Sequence, residues 1–141
     1  MKAPASGSKN ARMALDTLAV WHRLAQTKDA AGLDTLLADD VVFHSPVVHT
    51  PQVGKAITKL YLSAAFVVFN VEAFRYVREV RTGNDAVLEF VTVIDGITVN
   101  GVDMIRWNDA GEITEFKVMV RPLKAMNLIH QKMGEMLKLL G

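Results

Sequence analysis

Four strand-like runs follow one another between residues 71 and 120 with almost nothing between them: VEAFRYVREV, AVLEFVTVI, ITVNGVDMIRW and ITEFKVMV. The gaps are TGND, DG and NDAG, all turn sequences. Connections this short join antiparallel neighbours only, because a parallel return needs a dozen residues or more. The chain is therefore bound to a meander of consecutive hairpins, and whatever lies outside it must cover one face of that sheet.

The flanking sequence has helical spacing. Ala14, Leu18, Trp21 and Ala25 recur at intervals of four and three, one face of a helix. A second, shorter helix follows Asp29 through Leu33, Leu36 and Leu37. VVFHSP, residues 41–46, is β-branched and aromatic and reads as a strand ended by Pro46. A third helix starts near Gly54, with Ile57, Leu60, Tyr61, Ala64, Ala65 and Val68 as its apolar face. After the meander, Pro122 suits a helix start, and Met126, Ile129, Met133, Met136 and Leu140 continue at helical spacing. Helices first and strands after give an α+β fold with the helices against one face of a curved antiparallel sheet. Residues 1–9 read as a disordered arm and 10–141 as a single domain without repeats or linkers.

Composition narrows the functions. The 141 residues carry a formal charge of +1 with no basic stripe, which speaks against nucleic acid as a partner. There is no cysteine, so disulfide and thiol chemistry are excluded. No apolar run reaches membrane-spanning length, and the start, MKAPASGSKN, lacks the apolar stretch of a secretory signal. A soluble cytoplasmic protein is the expectation. No HExxH or Cys/His cluster is present, so no metal site is expected, and no residue calls for a cofactor.

One residue breaks the meander's pattern. If Asp95-Gly96 is a two-residue turn, Ile94 faces Ile97, Leu88 faces Asp103 and Phe90 faces Gly101. If NDAG is a four-residue turn, Trp107 faces Glu112 and Asp103 faces Phe116. Directly opposed residues share a face. Asp103 then lies on the apolar face with Leu88, Phe90, Ile105, Phe116 and Val118. A carboxylate there must find partners or hold its proton. Gly101, two residues away on the same face, leaves room beside it. An acid next to a gap is the minimum description of a pocket; the alternative is a structural aspartate tied to a helix end or to Trp21.

The order of elements, with LADDVVFHSPVVHTPQVGKAI and GVDMIRWNDAGEITEFKVMV, resembles the nuclear transport factor 2-like superfamily, including ketosteroid isomerases and SnoaL-type polyketide cyclases. The resemblance implies a sheet wrapped by helices into a cone (the cystatin-like, ketosteroid isomerase-like architecture) around a pocket. It places Asp103 at the isomerase's buried, protonated aspartic acid. Ser45 falls where the isomerase has its general base, and a serine hydroxyl takes up no proton at neutral pH. Trp21 falls at the isomerase's oxyanion tyrosine, and its indole can only donate. The epoxide hydrolases of the same superfamily need a second aspartate that this apolar face lacks.

The expectation is a SnoaL-like isomerase or cyclase acting on a small hydrophobic carbonyl compound. Asp103 is the acid/base, and Trp21, Ser45, Tyr61, Phe90, Phe116 and Val118 line the pocket. His22, His44 and His49 are possible partners of Asp103. A binding or carrier module with the same pocket, and a structural dimer with a vestigial one, stay open. The outer sheet face mixes Val102, Met104 and Met119 with charges. With the family's habit, that points to a homodimer.

Overall fold

The computed structural model describes residues 17–141; the arm assigned to residues 1–9 and Ala14 lie outside the described residues. The first helix, α1, is described over 17–27. It is followed by α2 (Leu33–Leu36), β1 (Leu37–His44), β2 (Gln52–Val53) and α3 (Lys55–Val68). Then come β3 (Arg75–Thr82), β4 (Asp85–Ile94), β5 (Ile97–Trp107), β6 (Ile113–Arg121) and α4 (Leu123–Leu140). The strands form one six-stranded curved sheet in the order β2-β1-β6-β5-β4-β3. The meander is as expected, and β1 joins it by running parallel to β6.

Three assignments change. Leu37 opens β1 instead of closing a helix, so the strand begins four residues before Val41. Leu37 is fully buried, and its pairing with Ile113 on β6 outweighs its helical spacing from Leu33. The third strand starts at Arg75, because 71–74 form a turn leading out of α3. The deepest residues of α3 are Thr58, Leu62, Ala64, Phe66 and Val68, so its buried face is rotated from the expected one. This helix packs against both β1 and α4, and a helix covered on two sides carries apolar residues all round. On α4, Ala125 and Ile129 are buried, Met133 and Met136 pack partly against the core, and Leu140 is largely exposed.

The central hairpin has the expected register: Leu88 opposes Asp103, Phe90 opposes Gly101 and Ile94 opposes Ile97. Its turn has positive φ at both Asp95 (50°) and Gly96 (78°), the type I′ geometry that matches strand twist. The next hairpin differs. Asp103 opposes Val118, Ile105 opposes Phe116 and Trp107 opposes Ile113: the loop spans 108–112, one residue more than expected, and the ladder shifts by one more between Arg106 and Trp107. The pairing at Asp103 is two residues from the expected one. An even shift leaves every side chain on its face, so Phe116 and Val118 still point inward with Asp103.

Candidate functional site

Asp103 stands in the middle of the sheet's inner face, with 7% of its surface exposed. Its carboxyl Oδ2 accepts a hydrogen bond from the hydroxyl of Tyr76 at 2.5 Å. The Tyr76 oxygen in turn accepts from Trp21 Nε1 at 3.1 Å. Indole N–H, phenol O–H and carboxyl thus form one directed chain running from α1 to β3 to β5. Trp21 is held by edge contact with Phe116 (4.7 Å between ring centres) and by Phe66 (5.5 Å).

Burial pushes the Asp103 carboxyl up from 3.8 to about 7; the Tyr76 hydrogen bond, which favours the carboxylate, opposes it. Tyr76 is raised well above its ordinary value of 10.0, first by burial and then by the neighbouring Asp103 charge and hydrogen bond. The tyrosine therefore stays a donor at neutral pH, and of the pair it is Asp103 whose raised value lies near neutrality.

The space beside this pair is a small cavity, about 30 Å³ open to a water's centre, enough for one or two waters. Trp21, Phe90, Phe116, Val118 and Asp103 line it, together with Tyr76, Phe74, Asn70 and the inner face of α3. Among the described residues, Asp103 and Tyr76 are the only titratable groups in the lining. The room expected above Gly101 is filled. A Cβ at Gly101 would lie 2.5 Å from Phe90 Cζ and 2.5 Å from the Met119 carbonyl oxygen, so the Phe90 ring lies over the glycine. Phe69 meets Phe90 edge-on (5.6 Å) and Phe74 stacks on it (5.4 Å).

Two expected lining residues sit elsewhere. Ser45 turns out of the cavity: its Oγ accepts from the backbone N–H of Val47 (3.1 Å) and of Val48 (3.4 Å), capping the bend that follows β1. Tyr61 packs on Phe43, with ring centres 5.4 Å apart, and takes no part in the cavity lining. None of the histidines contacts Asp103 through a hydrogen bond. His22 Nε2 pairs with Glu79 (2.8 Å), His44 Nε2 pairs with Glu115 (3.1 Å) and His49 is exposed. Among the described residues no three His, Asp or Glu side chains converge as a metal site, and no helix is long and apolar enough to cross a membrane.

The sequence reading missed Tyr76, the hydrogen-bond partner of Asp103, as well as Asn70, Phe74 and the α3 residues of the lining. Counted back from the Thr82–Asp85 pair, a regular ladder puts Tyr76 opposite Val91 on the outer face. A bulge between Tyr76 and Arg78 places it opposite Phe90 instead, and so on the inner face. The signal available was weak: a lone aromatic residue in a strand that otherwise mixes charged residues with Val77, Val80 and Thr82.

The family model described as the SnoaL-like domain matches residues 18–116. The chain belongs to the SnoaL-like family. A solved structure described as a steroid delta-isomerase from Pseudomonas aeruginosa is similar to this SnoaL-like domain at 38% identity and a TM-score of 0.84, covering 89% of this chain and 92% of that one. An uncharacterised protein conserved in bacteria, with a cystatin-like fold, from Silicibacter pomeroyi is 31% identical, with a TM-score of 0.78 over 84% of this chain and 83% of that one. A nuclear transport factor 2-like protein of unknown function from Mesorhizobium loti, at 20% identity and a TM-score of 0.68, covers 86% of this chain and 98% of that one; it shares the fold. No curated protein matches the chain.

Proposed function

We propose that this SnoaL-like domain is an isomerase- or cyclase-type enzyme for a hydrophobic carbonyl compound, with Asp103 as its acid/base. The observation that carries this reading is a single carboxyl, at about 7, hydrogen-bonded to Tyr76 inside an aromatic cavity. A group with that proton affinity is half protonated at neutral pH, where acid/base catalysis is most effective. As the neutral acid it donates to a carbonyl oxygen. As the carboxylate it takes a proton from the carbon next to that carbonyl and returns it elsewhere on the same skeleton. Tyr76 fixes the carboxyl's orientation. Similarity to the steroid delta-isomerase from Pseudomonas aeruginosa supports a ketone as substrate.

The test is conversion of a β,γ-unsaturated keto steroid to its conjugated isomer, followed by enone absorbance. Wild type is expected to turn over and Asp103→Asn to lose at least ~100-fold, the usual share of a general acid/base. Equal rates in the two proteins would reject the assignment.

One observation favours a second reading, a binding module without chemistry. Ser45 is engaged in a turn, and the cavity holds no second base. That reading expects the steroid to bind without conversion.

The outer sheet face also supports a homodimer. Val80, Val87, Val93, Met104 and Met119 are exposed there, between charged neighbours. Sedimentation of the purified protein tests it.

A further inference from the structure

The Asp103 cavity is too small for the substrate just proposed. A much larger basin, about 580 Å³, lies directly outside it. The two spaces share Asn70, Phe74 and Tyr76, so these side chains are the partition between them. Two parts of that partition are fixed. Tyr76 is held by Trp21 and Asp103, and the Asn70 amide donates to the Ala25 carbonyl at 2.8 Å. Phe74 is the exception. It belongs to neither helix nor strand, and its ring rests on Tyr76 (5.1 Å) and Phe90 (5.4 Å) by ring contacts alone. It is the member of the partition whose ring can turn without breaking a hydrogen bond of its side chain.

The basin is polar where the cavity is apolar. Lys28 and Arg75 are exposed on its wall, and among the described residues neither has a carboxylate within ion-pair distance. Glu72 is the single carboxylate on that wall, and His22 is already paired with Glu79. The combined space therefore has a hydrogen-bonding acid at its inner end, aromatic walls along its middle and a surplus of positive charge at its mouth.

We propose that this basin is a second binding subsite, which takes the carboxylate of an elongated keto acid on Lys28 and Arg75 while the ketone end passes Phe74 to reach Asp103. The inference rests on the reading of Asp103 as the carbonyl-binding acid. Phe74 then selects for length, because a ligand too short to span the partition engages only one end.

The test measures binding by calorimetry with two probes: dehydrocholate, which carries ring ketones and a side-chain carboxylate, and its uncharged methyl ester. Dehydrocholate is expected to bind roughly tenfold tighter or more, as a charge-assisted contact adds over a neutral one. That margin should shrink with added salt. It should also vanish in Lys28→Asn and Arg75→Gln, two exposed positions where the fold is indifferent to the change; asparagine tolerates the φ of 56° at residue 28. Phe74→Ala should tighten both probes alike. Equal binding of acid and ester, unmoved by either charge variant, would overturn the subsite and leave the Asp103 reading standing. Failure of both probes to bind wild type and Phe74→Ala would overturn the two together.

Discussion

The Tyr76 hydroxyl donates to Asp103 Oδ2 at 2.5 Å, and the oxygen of that hydroxyl is itself the acceptor for Trp21 Nε1. The phenol therefore has both its donor and an acceptor position committed, and the acid it serves sits where water is scarce. What each member of the chain does can be separated by substitution.

The first prediction concerns pH and stability. Asp103 has a folded-state pKa of about 7 against an ordinary 3.8, so the folded state holds its proton more tightly. Its contribution is fully present below about pH 4 and is lost as pH rises through 7. The span corresponds to at most about 4 kcal/mol. Asp103→Asn has no charge to bury and should lack this slope. In urea titrations at pH 4, 6 and 8 the variant should gain steadily on wild type; parallel curves would refute the raised pKa.

Tyr76→Phe removes the one hydrogen bond that favours the Asp103 carboxylate, so the Asp103 pKa should rise further. It also leaves Trp21 Nε1 without its acceptor, a loss of about 1–3 kcal/mol if no water replaces it. Carboxyl-carbon NMR titration reads the first effect and chemical denaturation the second. An unchanged or lowered Asp103 pKa would show that the hydroxyl does not govern the acid.

Gly101 has no room for a side chain. A methyl there meets the Phe90 ring and the Met119 carbonyl, each at 2.5 Å, and backbone on one side cannot step away. Gly101→Ala should cost about 1–3 kcal/mol, in the range of an overpacked core, and Gly101→Val more. A void at this position would instead be filled with profit to stability. Denaturation midpoints decide between them.

If the outer face is a homodimer contact, a charge placed on it should dissociate the dimer and spare the fold. Met119 is 49% exposed and opposes Val102 across the ladder. Met119→Glu is expected to sediment as a monomer at concentrations where wild type is dimeric, with an unchanged circular dichroism spectrum. A monomeric wild type would remove the premise.

How far the sequence could be read depended on where the strands kept a regular beat. The Asp95-Gly96 turn fixes its hairpin within two residues, so the inward direction of Asp103 followed from counting alone. The longer loop after Trp107 and the bulge beside it were both invisible to counting but harmless together, because their two single shifts add to an even one and preserve the face. The bulge near Tyr76 was equally invisible and decisive, because its shift is one residue and exchanges the faces. Ser45 was placed by resemblance, which knows the position of a residue and not the turn that engages its hydroxyl. The gap at Gly101 was inferred from a missing side chain, yet the space it leaves is claimed from the next strand by Phe90.

Sheet order adds a last point. Asp103 rides on β5, which has a paired strand on each side, whereas Tyr76 rides on β3, which is paired only with β4. The acid is anchored in the stiffest part of the sheet and its partner on the margin, next to a bulge. Marginal strands open at lower free energy than central ones. The hydrogen bond that opposes the rise of the Asp103 pKa is therefore supplied from the strand with neighbours on one side alone.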